Sequence, residues 1–199
     1  MGCINTKRRK DALRKGIDVT PTKRTKNYLK QNNEQNDSPS NGRCHSEPFP
    51  EFTDRQKQLV LDSWKIIQED MSKVGVVMFM KLFETHPDVQ EVFMPFKGMT
   101  KEDLQYSNQL KTHALRVMGT VDKCLARIDD TKKIEEMLHD LGSRHVMYNA
   151  KVDYIDLIGP QFIWAIQPAL KEQWNREVEE AWSDLFKMIS QLMKTAMTF

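Results

Sequence analysis

Much of what would mark this chain as a secreted protein or a conventional enzyme is missing from it. Its 199 residues contain only three cysteines, Cys3, Cys44 and Cys124. Their odd number and wide spacing give neither a disulfide framework nor a Cys-x-x-Cys pair, and suit a reducing compartment. Long apolar runs are lacking as well. The longest runs from Val74 to Met80 with Gly75 inside it, too short to span a bilayer. No apolar stretch follows the N-terminal charges, so no secretory leader is expected. There is no Gly-rich phosphate loop and no Gly-x-Ser-x-Gly elbow. No acidic stretch has the ligand spacing around a central Gly that a calcium loop needs. Strand-like alternation and internal repeats are absent too.

What is present is an uneven partition of charge. Residues 1–50 hold eleven Lys/Arg against five Asp/Glu, a net of +6, and residues 51–199 hold nineteen against twenty-three, a net of −4. The small overall charge of +2 therefore joins a basic arm to a mildly acidic body. A body of about 150 residues buries roughly 68–70% of its unfolded surface, enough for one core and one ligand pocket. The expected domains are an arm over 1–50 and a folded body over 51–199.

The arm begins Met1-Gly2-Cys3-Ile4-Asn5-Thr6 and continues into Lys7, Arg8, Arg9 and Lys10. Gly2 followed by Thr6 matches the N-myristoylation pattern, and Cys3 beside it is a candidate for S-palmitoylation. One acyl chain holds a protein to membranes only marginally, so a second chain and a basic cluster supply what the first lacks. Basic residues near an anionic leaflet add about 1 kcal/mol each. From 18 to 49 the chain is rich in Asn, Gln, Ser, Thr, Lys and Pro, and few large apolar residues oppose its conformational entropy. It reads as a flexible tether whose partners are anionic membrane lipids at the cytoplasmic face of the plasma membrane. A nucleic-acid-binding tail is the plainer alternative for such a basic run, and nucleic acid is not the expected partner.

The body reads as helices throughout. Thr53-Asp54-Arg55-Gln56 is a capping-box pattern, and Leu59, Val60, Trp64 and Ile67 follow at helical spacing. A second helix is predicted over 73–84, with Val76, Phe79 and Phe83 on one face. Pro87 opens a short helical turn, and 93–98 is a loop carrying Phe93 and Phe96. Further helices are predicted over 104–128, 131–146, 154–171 and 175–195, the third of these apolar and interrupted by Pro160 and Pro168. The fold class is all-α.

Two histidines stand in apolar stripes. Leu110, Ala114, Val117, Val121 and Leu125 surround His113 at three- and four-residue steps, and Ile134, Leu138 and Leu141 lead at the same steps into His145. Both imidazoles thus share faces with residues that mark burial. A buried polar ring without a partner costs about 1–3 kcal/mol, so each needs one. A metal centre held between two helices would serve both. His86, His139 and Cys124 have duller readings: a helix-end residue, a solvated one and an inert buried thiol.

In this order and at these separations the landmarks resemble the globin family across nearly all of 52–199. They are Trp64, His86-Pro87 with Phe93 and Phe96, His113 with Val117, Leu141 with His145, and Glu180-Ala181-Trp182. The segment from Val76 to Phe83 is closer to neuroglobin than to myoglobin. Joined to the Met-Gly-Cys arm, the body is most similar to the globin X branch, the acylated vertebrate globins. The resemblance implies a three-on-three helical sandwich holding haem b. It makes His145 the proximal iron ligand, its other nitrogen bonded to a carbonyl one turn earlier, and His113 the distal one. Phe93 and Phe96 would pack on and beside the porphyrin, Phe79 and Val117 would shape the distal pocket, and Leu141 and Val152 would line the proximal side. Arg116, and less directly Arg144, would meet a propionate.

The function this implies is a membrane-anchored haem protein with bis-histidyl iron. It would act in electron transfer, redox or gas sensing, nitrite reduction or protection from lipid oxidation. Its small partners would be oxygen, NO, CO or nitrite, served by an electron donor the sequence does not name. An oxygen carrier or store with five-coordinate iron is the alternative, since sequence does not separate a distal histidine that binds iron from one that only faces it. A haem-free helical adaptor is the alternative of another class. No catalytic motif of another kind is present, so any reaction would take place at haem iron.

Overall fold

The computed structural model describes residues 52–198; Gly2, Cys3, the basic arm and the boundary at 50 lie outside the described residues. Among the described residues every regular element is a helix. Eight are α-helices: α1 (Asp54–Ile67), α2 (Met71–Thr85), α3 (Pro87–Val92), α4 (Lys101–Tyr106), α5 (Asn108–Leu125), α6 (Thr131–Met147), α7 (Ile158–Leu170) and α8 (Arg176–Met197). They form two layers of three, with α1, α5 and α6 against α2, α7 and α8.

Their ends follow from local chemistry. Thr53 Oγ1 accepts from the Gln56 amide at 3.2 Å while Gln56 Oε1 accepts from the Thr53 amide at 3.1 Å, so the reciprocal cap expected from sequence forms. Asp70, Thr100, Ser107, Asp130 and Asn175 each cap the following α-helix through a side-chain oxygen.

Two helix assignments need correction. The stretch 104–128 is not one helix. Ser107 adopts extended backbone (ψ 117°) and its hydroxyl accepts from the Leu110 amide at 3.2 Å. It therefore starts α5 afresh, as a serine that bonds its own backbone favours. The stretch 154–171 begins instead as a 3₁₀ helix, Val152–Leu157, before α7. Pro160 then falls in the first turn of α7, where its missing amide has no intrahelical partner to lose. Pro168 does lie inside α7, but only two residues before the end, where a lost bond is readily tolerated.

The core centres on Trp182 of α8, fully buried. Its ring lies 5.9 Å from Trp64 and 5.0 Å from Phe162, and its Nε1–H donates to Ser63 Oγ at 2.9 Å. Ser63 in turn donates to the Leu59 carbonyl at 2.6 Å. Trp64 Nε1–H donates to Asp122 Oδ1 at 2.7 Å, tying α1 to α5. Each indole thus buries a large apolar face without orphaning its N–H.

Two glycines let helices approach closely. At Gly75 of α2 an added Cβ would lie 3.0 Å from Ala114 Cβ and 3.1 Å from Met118 Cγ of α5. At Gly142 of α6 it would collide with the backbone carbonyl of Met193 in α8. Backbone does not yield as a flexible side chain does. Gly142→Ala should therefore lower unfolding free energy by about 1–3 kcal/mol, the usual cost of overpacking, with the urea m-value unchanged. An unaltered denaturation midpoint would refute this account of the α6–α8 contact.

Candidate functional site

The α2–α5 crossing sets the site. Phe79 lies one turn beyond Gly75, and His113 directly precedes the fully buried Ala114. The crossing accordingly brings the Phe79 and His113 rings to 5.0 Å. Phe93 meets the imidazole edge-on at 5.5 Å and Phe96 at 6.4 Å, while these two phenyl rings stack on each other at 5.9 Å. Phe83, four residues after Phe79, contacts Phe79, Phe93 and Phe96 at 5.6–6.0 Å. His113 is thus walled by aromatic rings from α2 and from the 93–98 turn.

That turn is held by a side chain which hydrophobic patterning does not reveal. Gln90 of α3 donates through Nε2 to the carbonyls of Phe96 at 2.9 Å and Met99 at 3.0 Å. The amides of Phe96 and Lys97 both bond back to the Phe93 carbonyl, and Gly98 takes the left-handed conformation (φ 70°) that closes the loop. Gln90 and Phe83 are the site residues sequence reasoning missed. Phe83 was legible only as the next member of the Phe79 stripe.

His113 makes no hydrogen bond among the described residues. Burial, and then the charges of His145 and Arg116, depress its pKa from 6.5 to about 4. Burial disfavours the imidazolium, so the ring is neutral at physiological pH and keeps a lone pair for a metal.

His145 occupies the last turn of α6. Its Nδ1 stands 2.8 Å from the carbonyl of Leu141 one turn earlier. A carbonyl only accepts, so Nδ1 carries the proton and the Nε2 lone pair is left for a ligand. The helix stops just beyond it. The Tyr148 and Ala150 amides fold back onto the His145 carbonyl at 3.1 and 3.0 Å, and Asn149 takes φ 57°.

The remaining expected residues fall beside these two. Val117, half-buried, is one turn along α5 from His113, and Leu141, half-buried, is bonded to His145 through its carbonyl. Val152 opens the 3₁₀ helix after α6. Arg116 is exposed on α5, whereas Arg144 is engaged with Asp140 at 2.7 Å. Cys124 is fully buried and its thiol is pushed up to about 12 by that burial, so it is inert as expected.

These donors fit a haem. A backbone-oriented imidazole with a free Nε2, a second neutral imidazole and an apolar aromatic wall are what axial ligation and porphyrin burial require. Comparison with known proteins agrees. The Globin family profile matches residues 76–193. Cytoglobin-1 of Oryzias latipes is 27% identical over 73% of this chain and 83% of its own length. Neuroglobin-1 of Oncorhynchus mykiss is 24% identical over 69% and 87%. In fold the chain is similar to the crystal structure of a hexacoordinated heme protein from an anhydrobiotic tardigrade at pH 4, with TM-score 0.71 and 22% identity. The match covers 76% of this chain and 97% of that one. The haem-free adaptor is thereby set aside: the chain belongs to the globin family and is a haem b protein.

Proposed function

We propose that this globin is a membrane-tethered redox protein whose haem iron is held by both His145 and His113. The observation that carries the reading is the state of the two rings. His145 is locked by the Leu141 carbonyl with Nε2 free, and His113 is neutral, without a hydrogen-bond partner among the described residues. A distal histidine dedicated to a bound gas needs only to donate. His113, neutral and without a hydrogen-bond partner among the described residues, keeps one N–H and one lone pair, and the lone pair is what ligation would use. The similar fold of the tardigrade protein, a hexacoordinated heme protein, supports the same reading.

Haem, once bound, would supply a one-electron iron couple and a site for small ligands such as oxygen or NO. The chain's own residues decide how that chemistry is used. If His113 held the iron together with His145, an external ligand would have to compete with it, which would lower apparent affinity by the fraction of time the site is open. Phe79, Phe83, Phe93 and Phe96 exclude water and restrain His113, so the displaced state is disfavoured. Electron transfer needs no such displacement. Val117 would limit the distal space, Leu141 and Val152 would flank the proximal side, and the exposed guanidinium of Arg116 would pair with a propionate. Gly2 and Cys3, carrying myristoyl and palmitoyl chains, would hold the protein at the cytoplasmic face of the plasma membrane. Bulk oxygen storage gains from a mobile carrier and is the weaker reading.

The dithionite-reduced, gas-free protein should show two sharp visible bands, and His113→Leu should convert them to one broad band. A single broad band from the unaltered protein would establish the five-coordinate alternative. His145→Ala should abolish or strongly reduce stoichiometric haem retention during gel filtration, while unchanged retention would remove it from the proximal position. Gly2→Ala, expressed in animal cells, should shift the protein from the membrane fraction to the cytosol. If the variant still pellets as the wild type does, the lipid anchor is refuted.

A further inference from the structure

A concave surface lies where α2, α4, α5 and α7 meet, and its lining includes neither histidine. It is an open groove of about 610 Å³ whose lining includes none of the aromatic residues around His113. Its floor is apolar, formed by Val76, Val77, Met80 and the ring of Trp164, and its rim carries Lys73, Lys81, Lys101 and Lys111. Only Asp70 and Glu84 oppose these four cations within the lining. A local excess of positive charge stands out on a body whose net charge is −4.

The charges are also arranged. Glu84 holds Lys81 at 3.0 Å and Lys101 at 3.2 Å, so one carboxylate positions two ammonium groups. Lys81 Nζ sits 5.0 Å above the Trp164 ring. Lys73 and Lys111 make no ion pair among the described residues. Trp164 remains 47% exposed, so its indole is available at the surface beside the lysines. Lysines around an apolar floor with a half-exposed indole match a lipid headgroup region, where Trp prefers the interface and Lys reaches for phosphate.

We propose that this groove seats the globin body on an anionic phospholipid leaflet. Lys73 and Lys111 would contact phosphate or carboxylate groups, and Trp164 would enter the interface with Val76, Val77 and Met80 beneath it. Lys111 and His113 stand two residues apart on α5 and so point to different sides of that helix, which keeps the groove separate from the histidine site. Charge complementarity favours this occupant, and the +6 arm acts on the same surface. The membrane-tether reading makes the groove useful, but the binding itself does not depend on acylation.

The test uses the full-length, haem-loaded, non-acylated protein sedimented with phosphatidylcholine vesicles, with and without phosphatidylserine. The arm is present in every variant and so cancels in the comparison. Lys73→Gln with Lys111→Gln should weaken partition onto phosphatidylserine-containing vesicles by about fivefold per lysine, and Trp164→Gln should weaken it further. The visible spectrum should stay unchanged. Removing the same charge outside the groove, with Lys123→Gln and Lys132→Gln, should cost less than about twofold, because charges beyond a Debye length are screened. Equal losses in the two lysine pairs, or wild-type partition by the groove variants, would overturn the proposal; an acidic protein would then be the better occupant to seek. Neither result bears on the Gly2→Ala outcome, so failure here is distinguishable from failure of the acyl anchor.

Discussion

The aromatic wall around His113 depends on the close crossing of α2 and α5 at Gly75. With Ala114 Cβ only 3.0 Å from where a Gly75 side chain would begin, the crossing leaves no room for even a methyl group without adjustment. That intimacy holds Phe79 against His113 and lets the rings of the 93–98 turn complete the wall. Interiors packed to this density transmit displacement rather than absorb it. A shift of α2 would therefore move the aromatic wall and the imidazole together.

The two imidazoles are prepared by different physics. His145 has its tautomer set by a single backbone carbonyl one turn away, a device that works because residues i and i−4 lie on one helix face. His113 has no such partner among the described residues and is kept neutral by burial among rings. One ring is oriented by a bond and the other confined by shape. Confinement without a bond leaves the lone pair of the neutral imidazole without a hydrogen-bond partner among the described residues.

Electrostatics divides the molecule on a larger scale. The arm is basic and the body mildly acidic, yet the body gathers four lysines about an apolar groove. Net charge alone would place the body against a membrane reluctantly. A local patch within one Debye length of the surface governs docking more strongly than the remote acidic residues do.

The sequence by itself determined the class of fold and the two metal-binding candidates. Both rest on local regularities: the 3.6-residue period, the Thr53–Gln56 capping box and imidazoles set into apolar stripes. The aromatic residues of the wall were legible because Phe79, Phe93 and Phe96 stand in a recognisable order. The break at Ser107 was not, because the hydrogen bond from the Leu110 amide to its hydroxyl, which restarts the helix, shows only in the folded backbone. Nor was the Gln90 clamp, since a polar residue on a short helix carries no periodic signal. The lysine groove was beyond reach for a further reason. Lys73, Lys101, Lys111 and Trp164 are scattered along more than ninety residues, and only packing of four helices brings them to one rim. Local chemistry dictates what a segment becomes; proximity between distant segments is decided by how their buried faces close on one another.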